Sequence, residues 1–306
     1  MNKVILTGSS GFIGQHLHER LLKNSCKVYS LCREELSGKN KSISESDFFD
    51  TNTHENADTV IHLVGAAHSY FSDSEANYIN FELTKKVIER AVSLNITRFI
   101  FLSSANIYKE CKGTIQIDSQ TEVDNLPNTM KSKLLAEQYI QQVAKNNDIE
   151  VVIIRSPLVY GENVKANFSS LMKFVSKGVP LPFRLLTQNK RSLISVYNLV
   201  DLIKVCIDHP NAPNQVFLAS DDHDLSTAEM VALMAKVQGK KNLALPVPVW
   251  CFKLAGKLLN KSDVIDRLTG SLQLDITHTK NTLDWQPPFS VEQGFKLAVK
   301  KTSKNN

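Results

Sequence analysis

The chain opens with Met1–Gly14, MNKVILTGSSGFIG, and this stretch decides how the rest folds. Val4, Ile5 and Leu6 form a short apolar run, which is typical of a strand buried on both faces of a parallel sheet. The run ends in a glycine-rich turn, and leucines with helical spacing follow the turn. Strand, glycine turn and helix in this order predict a βα unit that binds a diphosphate where its helix begins.

Gly8, Gly11 and Gly14 give this turn the spacing GxxGxxG. A diphosphate site needs one glycine to turn the chain, one to let backbone N–H groups approach, and one to let the helix pack on its strand. An ordinary tight turn is the alternative, but the position between a strand and a helix favours a dinucleotide site. We include Phe12 and Ile13, where the helix begins, among the predicted cofactor-binding residues.

Composition limits the classes of function. The 306 residues, of which 42% are hydrophobic, suffice for one large α/β unit and a smaller lobe. The five cysteines show no CxxC spacing, so we predict neither a zinc site nor a disulfide framework, and no metal. No signal peptide or membrane-crossing segment is evident, so we expect a cytoplasmic protein with no membrane partner. A net charge of +5 requires no nucleic acid, because an anionic substrate or cofactor would explain it.

The second and third strands bear on the choice of cofactor. Arg33 follows a strand at about Lys27–Leu31, and an arginine there can accommodate the 2′-phosphate of NADP. We therefore predict NAD(P) with a lean toward NADP(H), and a solvated arginine is the alternative. Asp47 and Phe48 are predicted to close a short third strand, where a carboxylate could meet the adenine amino group.

Two further buried strands lead to the predicted site. Asp58–Val64 ends in small residues, and we expect Leu63 and Gly65 to let the cofactor lie close; simple tight packing is the alternative. Arg98–Leu102 is the next strand, and Ser104 lies at its carboxyl end. In an open parallel sheet, ligands bind at that edge.

Several motifs in the right order identify a resemblance to a known family. The matches to its TGxxGxxG, VIHLAA, SSxxVY and RPxxVYG motifs are Thr7–Gly14, Val60–Ala67, Ser103–Tyr108 and Arg155–Gly161. Over nearly its whole length the chain resembles extended short-chain dehydrogenases/reductases, the NAD(P)-dependent epimerase/dehydratase family. The resemblance implies an α/β fold, a Rossmann-type doubly wound parallel sheet with a smaller C-terminal substrate-binding lobe. It places the NAD(P)-binding domain at 1–165, with a returning segment at about 190–205, and the substrate lobe mainly at 166–306.

The resemblance also implies a catalytic serine, tyrosine and lysine, the last two in the pattern YxxxK. Ser104 matches the serine and Lys133 matches the lysine, which would also contact the cofactor. Residues four apart leave the same face of a helix, so a lysine ammonium there lowers the pKa of the phenol. Here the tyrosine position is Thr129. A threonine hydroxyl is too short and too weakly acidic to replace a phenol that titrates near the working pH.

Three outcomes of this departure stay open. A water held by Thr129, Ser104 and Lys133 could deliver the proton, Tyr108 could substitute, or the chemistry could be much reduced. The literal YxxxK at Tyr108–Lys112 reads as a loop rather than a helix. Loss of a general acid costs about two to four orders of magnitude in rate, so the third outcome is serious.

Three residues match the positions where the family binds the substrate diphosphate. Asn167 lies in Glu162–Phe168, which resembles the family's GxVKGNF loop, and a helix cap is its alternative role. Arg191 and Arg267 would pair with phosphate, which suits the bidentate guanidinium, and a surface ion pair is the alternative for Arg267.

Three further stretches narrow the resemblance within the family: Pro157–Phe168, Lys190–Asp201 and Val264–Asp275. Together they resemble bacterial proteins that are UDP-glucose 4-epimerase-like. These include the 4-reductases that convert a UDP-4-keto-6-deoxy-N-acetylhexosamine to UDP-N-acetylquinovosamine for surface polysaccharides. The leading hypothesis is such an NAD(P)H-dependent reduction, and the second is a UDP-hexose 4-epimerase. A third, of another class, is a catalytically impaired NAD(P)- or nucleotide-sugar-binding protein, because of Thr129. A homodimer is expected by family analogy.

Overall fold

The structure is a computed structural model that describes residues 2–32, 42–44, 48–49, 57–66, 71–108, 113–119, 126–164, 167–258 and 262–299. Within these ranges, the side chains of residues 32, 42–44, 167, 262–264 and 267 are not described. The predicted sites at Arg33 and Asp47 therefore lie outside the described residues, as do the side chains of Asn167 and Arg267.

A parallel sheet of seven strands forms the centre of the described part of the chain. In spatial order the strands are β3 (Ser42–Ser44), β2 (Lys27–Cys32), β1 (Lys3–Thr7), β4 (Thr59–His62), β5 (Arg98–Ser104), β7 (Glu150–Ser156) and β10 (Gln215–Leu218). The order runs outward in both directions from β1, so the predicted doubly wound fold is confirmed. The reversal between β1 and β4 leaves a crevice at their carboxyl ends, which is where such sheets bind ligands.

Helices cover both faces of the sheet because its inner strands are apolar on both. One layer consists of α1 (Phe12–Lys23) and α6 (Val196–Asp208), and the other of α3 (Leu83–Ser93) and α4 (Asn128–Asn146). The short α2 (Asp73–Asn77) and a π-helical turn, Tyr78–Glu82, lead directly into α3. Val4, Ile5 and Leu6 are fully buried, as a strand covered on both faces requires.

The C-terminal lobe has its own apolar cluster and short strands. The remaining elements of the described chain are the pairs β6 (Thr114–Ile115) with β11 (Gln273–Leu274) and β8 (Leu158–Tyr160) with β9 (Leu193–Ser195), and the helices α5 (Asn167–Ser176), α7 (Thr227–Val237), α8 (Val249–Leu258), α9 (Ser262–Thr269), α10 (Thr277–Leu283) and α11 (Val291–Val299). Of these, β6, β11 and α10 bury their apolar residues in the cluster of the central sheet. The rings of Tyr160, Phe168 and Phe295 meet at the centre of the cluster of the lobe, with centroids 4.6 to 5.4 Å apart. None of the described helices is both long and apolar enough to span a bilayer.

The third strand differs from its prediction. It is Ser42–Ser44, whereas Phe48, which we expected to close it, is helical. The Phe48 ring is fully buried in the apolar cluster under the sheet, and its carbonyl accepts a hydrogen bond from Arg90 Nε at 2.8 Å. A large apolar ring gains more from this burial than from a place on an edge strand, so its side chain is a core residue and not a lining of the crevice.

The chain also returns to the sheet over a longer stretch than the predicted 190–205. Helix α6 continues to Asp208, and β10 then adds an edge strand beside β7. The four residues of β10 are too few for their periodicity to distinguish a strand from a loop. The sheet therefore takes in residues up to Leu218.

Candidate active site

The glycine turn closes tightly at the carboxyl end of β1. Gly8 has a φ of +72°, and its carbonyl accepts a hydrogen bond from Gly11 N at 3.0 Å. A Cβ on Gly14 would lie 2.8 Å from Ser9 Cα and would overlap the Gly8 carbonyl. The turn therefore leaves no room for a side chain at Gly14, and the positive φ at Gly8 favours glycine there. The turn also sets the start of α1 at the crevice. This cradle fits the diphosphate of a dinucleotide, which binds through backbone N–H groups.

Helix α1 begins without a side-chain cap, because its N-cap residue is Gly11. Phe12 and Ile13, in its first turn, are half-buried and pack against the apolar cluster on this face of the sheet. Their side chains thus hold the helix on the sheet. Any contribution of these two residues to cofactor binding would come from their backbone N–H groups.

The segment after β4 forms the other wall of the crevice. A Cβ on Gly8 would lie 3.1 Å from Val64 N, so the two turns are in close contact. Leu63 is half-buried and packs on the same cluster as Phe12. A Cβ on Gly65 would lie 2.6 Å from Lys133 Nζ, so a larger residue there would displace the end of the lysine side chain.

Ser104, Thr129 and Lys133 are supplied by two neighbouring elements. Ser104 ends β5, is half-buried, and its Oγ accepts a hydrogen bond from Asn106 N at 3.2 Å. Thr129 and Lys133 lie one turn apart at the start of α4, as the sequence predicts. Lys133 Nζ donates to the Leu102 carbonyl at 3.2 Å, two residues before Ser104. The structure thus brings the predicted lysine to the carboxyl end of the strand that carries the predicted serine.

The environment of Lys133 favours loss of its proton. The side chain is 5% exposed, and Nζ lies 5.1 Å from the centroid of the Phe101 ring. Burial lowers the pKa of Lys133 to about 8, and the Glu137 carboxylate, one turn further along α4, raises it in the opposite direction. The ammonium therefore exchanges a proton close to neutral pH, which is the range a general acid or base needs.

Asn80 joins the start of α4 to the loop after β4. Its side chain is fully buried; Nδ2 donates to the Thr129 carbonyl at 3.2 Å and to Ser132 Oγ at 3.1 Å. Its Oδ1 accepts from Ala66 N at 2.8 Å. One amide side chain therefore fixes the positions of the crevice wall and of the turn that carries Thr129.

Sequence reasoning missed His62, which continues this connection. The imidazole is fully buried and lies between the Thr7 and Thr84 hydroxyls, with Nδ1 2.8 Å from Thr7 Oγ1 and Nε2 3.0 Å from Thr84 Oγ1. Thr84 donates to the Asn80 carbonyl at 2.8 Å, so its oxygen accepts from Nε2–H, and Nδ1 accepts from Thr7. Burial, together with the smaller effect of the Lys133 charge, lowers the pKa of His62 to about 3. The sequence feature that could have indicated this role is a single histidine between the apolar pairs of the stretch VIHLV, residues 60–64.

Glu137 and Arg155 form a buried ion pair behind Lys133. Arg155 Nη2 lies 2.6 Å from Glu137 Oε2, and the side chains are 13% and 2% exposed. Arg155 also donates to the hydroxyl of Tyr108, whose side chain is fully buried. Tyr108 is therefore held in the interior by the guanidinium, which makes it a poor candidate to replace the missing tyrosine.

Arg191 lies in the C-terminal lobe, between the segments at Leu225 and Leu272. It is half-buried, and Nη1 donates to the Gly270 carbonyl at 3.2 Å. Gly270 directly follows α9, the helix that contains Arg267. The fold thus brings Arg191 next to the element that carries the second predicted phosphate-binding arginine.

Comparisons with known proteins agree with this arrangement. The model of the NAD dependent epimerase/dehydratase family matches residues 4–219. The chain is 46% identical over 308 residues to the UDP-glucose 4-epimerase of Vibrio cholerae, which covers 96% of this chain and 93% of that protein.

Two solved structures have the same fold. MoeE5 in complex with UDP-glucuronic acid and NAD has a TM-score of 0.81, with 20% identity over 100% of both chains. UDP-glucuronic acid 4-epimerase from Bacillus cereus in complex with NAD has a TM-score of 0.80, with 20% identity over 99% of both chains. Together with the family match over most of the chain, these findings confirm the predicted family, and the protein is an enzyme of the NAD dependent epimerase/dehydratase family.

Proposed function

We propose that the protein is a UDP-hexose 4-epimerase that holds NAD in the crevice between β1 and β4. The observation that carries the proposal is the position of Lys133, whose Nζ lies against Gly65 at the same sheet edge as the glycine turn. The 46% identical relative, named as a UDP-glucose 4-epimerase, supports the substrate class and the reaction.

We assign the following roles to the residues of the chain. Backbone N–H groups of the Gly8–Gly11 turn bind the cofactor diphosphate. A nicotinamide dinucleotide held there would supply the reversible hydride transfer that epimerisation at C4 of the sugar requires. Ser104 Oγ–H donates to the C4 oxygen, and the Lys133 ammonium stabilises negative charge there. Asn167, Arg191 and Arg267 hold the substrate diphosphate, as the resemblance implies.

Proton transfer at the C4 oxygen needs a group other than a tyrosine at position 129. With Thr129 in the tyrosine position, we infer that a water held between Thr129 and Lys133 takes the proton from the C4 hydroxyl and returns it. A pKa of about 8 suits Lys133 to this exchange. Tyr108 is a weaker alternative because its hydroxyl accepts from Arg155 in the interior.

Thr129 also favours a second candidate, the reduction of a UDP-4-keto-6-deoxy-N-acetylhexosamine. Reduction delivers one proton to one oxygen, whereas epimerisation has to remove a proton from that oxygen and then restore it. A site with a weaker acid–base group therefore loses less rate in the reduction than in the epimerisation. A catalytically impaired binding protein is the third candidate. The lean toward NADP, the cytoplasmic location and the homodimer stay predictions.

One set of assays distinguishes these functions. The cofactor released by denaturing the purified protein is identified, and UDP-glucose and UDP-N-acetylglucosamine are then incubated without added cofactor and followed by NMR. An epimerase yields the C4 epimer with no net change in reduced nicotinamide. Oxidation of NADPH or NADH that depends on the 4-keto sugar, without epimer formation, identifies the reductase instead.

The Lys133→Met variant is the control, because it removes the ammonium and keeps an apolar stem of similar length. It should stay folded, as circular dichroism would show, and lose turnover. Dinucleotide binding with no turnover in any of these assays of the wild-type protein would reject both reactions and leave the binding protein.

A further inference from the structure

The C-terminal lobe exposes an unusual concentration of large apolar side chains. Six of the fourteen exposed large hydrophobic residues in the described part of the chain fall within residues 243–258. The most exposed are on α8: Trp250 at 66%, Leu254 at 52% and Leu258 at 77%. Apolar side chains this exposed, and this close together, mark a surface that contacts something other than water.

These three side chains lie on one face of α8, because they are spaced four residues apart. The opposite face is the one that packs on the lobe, through Phe252 and Gly256, and the Phe252 ring stacks on Phe183 at 5.9 Å. The helix is therefore apolar on both faces, and only one of them has a partner within the described residues. We call the exposed face, Trp250, Leu254 and Leu258, the α8 patch.

The charged residues of the stretch 240–258 are all basic, and the exposed Asp266 lies on the neighbouring helix α9. Lys253 and Lys257 are exposed on α8, one turn apart, and the stretch 240–258 also contains Lys240 and Lys241 but no aspartate or glutamate. A partner that complements this surface is apolar in its interior and anionic at its edge. Long lysine side chains can then extend to the anionic groups while leucine and tryptophan enter the apolar region.

A second copy of this chain fits the α8 patch less well. A two-fold axis through the patch would bring the lysines of one copy against those of the other. A stable dimer also buries about 800 Å² per partner with roughly 20–30 residues on each side, which is far more than three side chains provide.

We propose that α8 docks the C-terminal lobe onto a bilayer surface rich in anionic phospholipid. The contact is peripheral: α8 lies in the plane of the headgroups and no segment crosses the bilayer. This membrane contact does not depend on the catalytic proposal. It replaces our expectation from the sequence that the protein has no membrane partner.

Vesicle binding tests this proposal directly on the full-length protein. The protein is mixed with vesicles of phosphatidylglycerol and phosphatidylcholine, or of phosphatidylcholine alone, and the bound fraction is measured by sedimentation. Tryptophan emission reports on α8, because the second tryptophan, Trp285, is 4% exposed and bonded to Asp201 at 3.1 Å. We expect binding to the anionic vesicles, with a blue shift of the emission, and much weaker binding to phosphatidylcholine alone.

Two double variants separate the apolar and charged parts of the surface. Leu254→Gln/Leu258→Gln should abolish the blue shift. Lys253→Gln/Lys257→Gln should weaken binding to anionic vesicles by about fivefold per lysine, or roughly thirtyfold for the pair. The control, Lys23→Gln/Lys145→Gln, removes the same charge from exposed lysines on α1 and α4 and should bind within about twofold of wild type.

Three results would overturn the proposal. One is the absence of sedimentation and blue shift with anionic vesicles, and another is a control variant that loses as much binding as the lysine variant of α8. The third is a dimer in sedimentation equilibrium that the leucine substitutions convert to a monomer, since the α8 patch would then be covered by a second copy. Retained dinucleotide binding shows that each variant is folded.

Discussion

Replacing Glu137 by glutamine should weaken both the fold and the site, because this carboxylate pairs with Arg155 in the interior. Glu137 is 2% exposed and accepts hydrogen bonds from both Nε and Nη2 of Arg155. Removing one partner of a buried pair leaves the other charge uncompensated, at a cost of about 3–5 kcal/mol. Glutamine keeps one carbonyl acceptor, so we expect a loss of about 3 kcal/mol, the lower end of that range.

The same change should move the pH dependence of activity. Burial lowers the pKa of Lys133 to about 8, and the Glu137 charge opposes that shift. Without the carboxylate the pKa falls further, so the ammonium is lost at a lower pH than in the wild type. If catalysis uses the Lys133 ammonium, the alkaline limb of kcat lies near pH 8 in the wild type and at lower pH in the Glu137→Gln variant.

The control is Glu150→Gln, the same substitution in a second pair of the same sheet. Glu150 pairs with Arg98 at 2.6 Å but is 36% exposed, and both residues begin their strands, at the end of the sheet away from the site. We expect it to cost at most about 1 kcal/mol and to leave the pH limb in place. Urea unfolding and pH–rate profiles measure both effects. Equal stability losses in the two variants, with unmoved pH limbs, would refute the reasoning.

Three further substitutions test other parts of the site. Thr129→Tyr should raise kcat by about two orders of magnitude, the lower contribution of a general acid; no gain over Thr129→Phe would mean that another donor serves the site. Gly14→Ala should abolish dinucleotide binding in calorimetry, because its Cβ would overlap the backbone at Gly8; tight binding would contradict the assigned cradle. His62→Gln should flatten the fall in the free energy of unfolding between pH 6.5 and pH 3. In this range the unfolded wild-type chain binds a proton at His62, whereas the buried imidazole, with a pKa of about 3, stays neutral. An unchanged slope would mean that other groups cause the fall.

The sequence predicted those parts of the site whose residues are close together in the chain. The glycine turn could be read from adjacent residues, and the common face of Thr129 and Lys133 from a spacing of four. The role of His62 could not be predicted in this way, because it depends on the hydroxyls of Thr7 and Thr84, which are 55 and 22 residues away. The position of Phe48 in the core was missed for a similar reason, since burial of its ring against distant residues overrides the strand pattern.

The departure from the YxxxK pattern that the resemblance implies is confined to Thr129, and the contacts around this residue limit what the departure implies. Asn80 still holds the backbone of Thr129, the Leu102 carbonyl still holds Lys133 at the sheet edge, and Gly65 still makes room for it. Each of these contacts constrains the side chains around a proton-transfer position rather than the core alone. A chain that only bound a dinucleotide would need the glycine turn but not this arrangement. The geometry therefore supports an enzyme in which a different group moves the proton over one in which proton transfer has been lost.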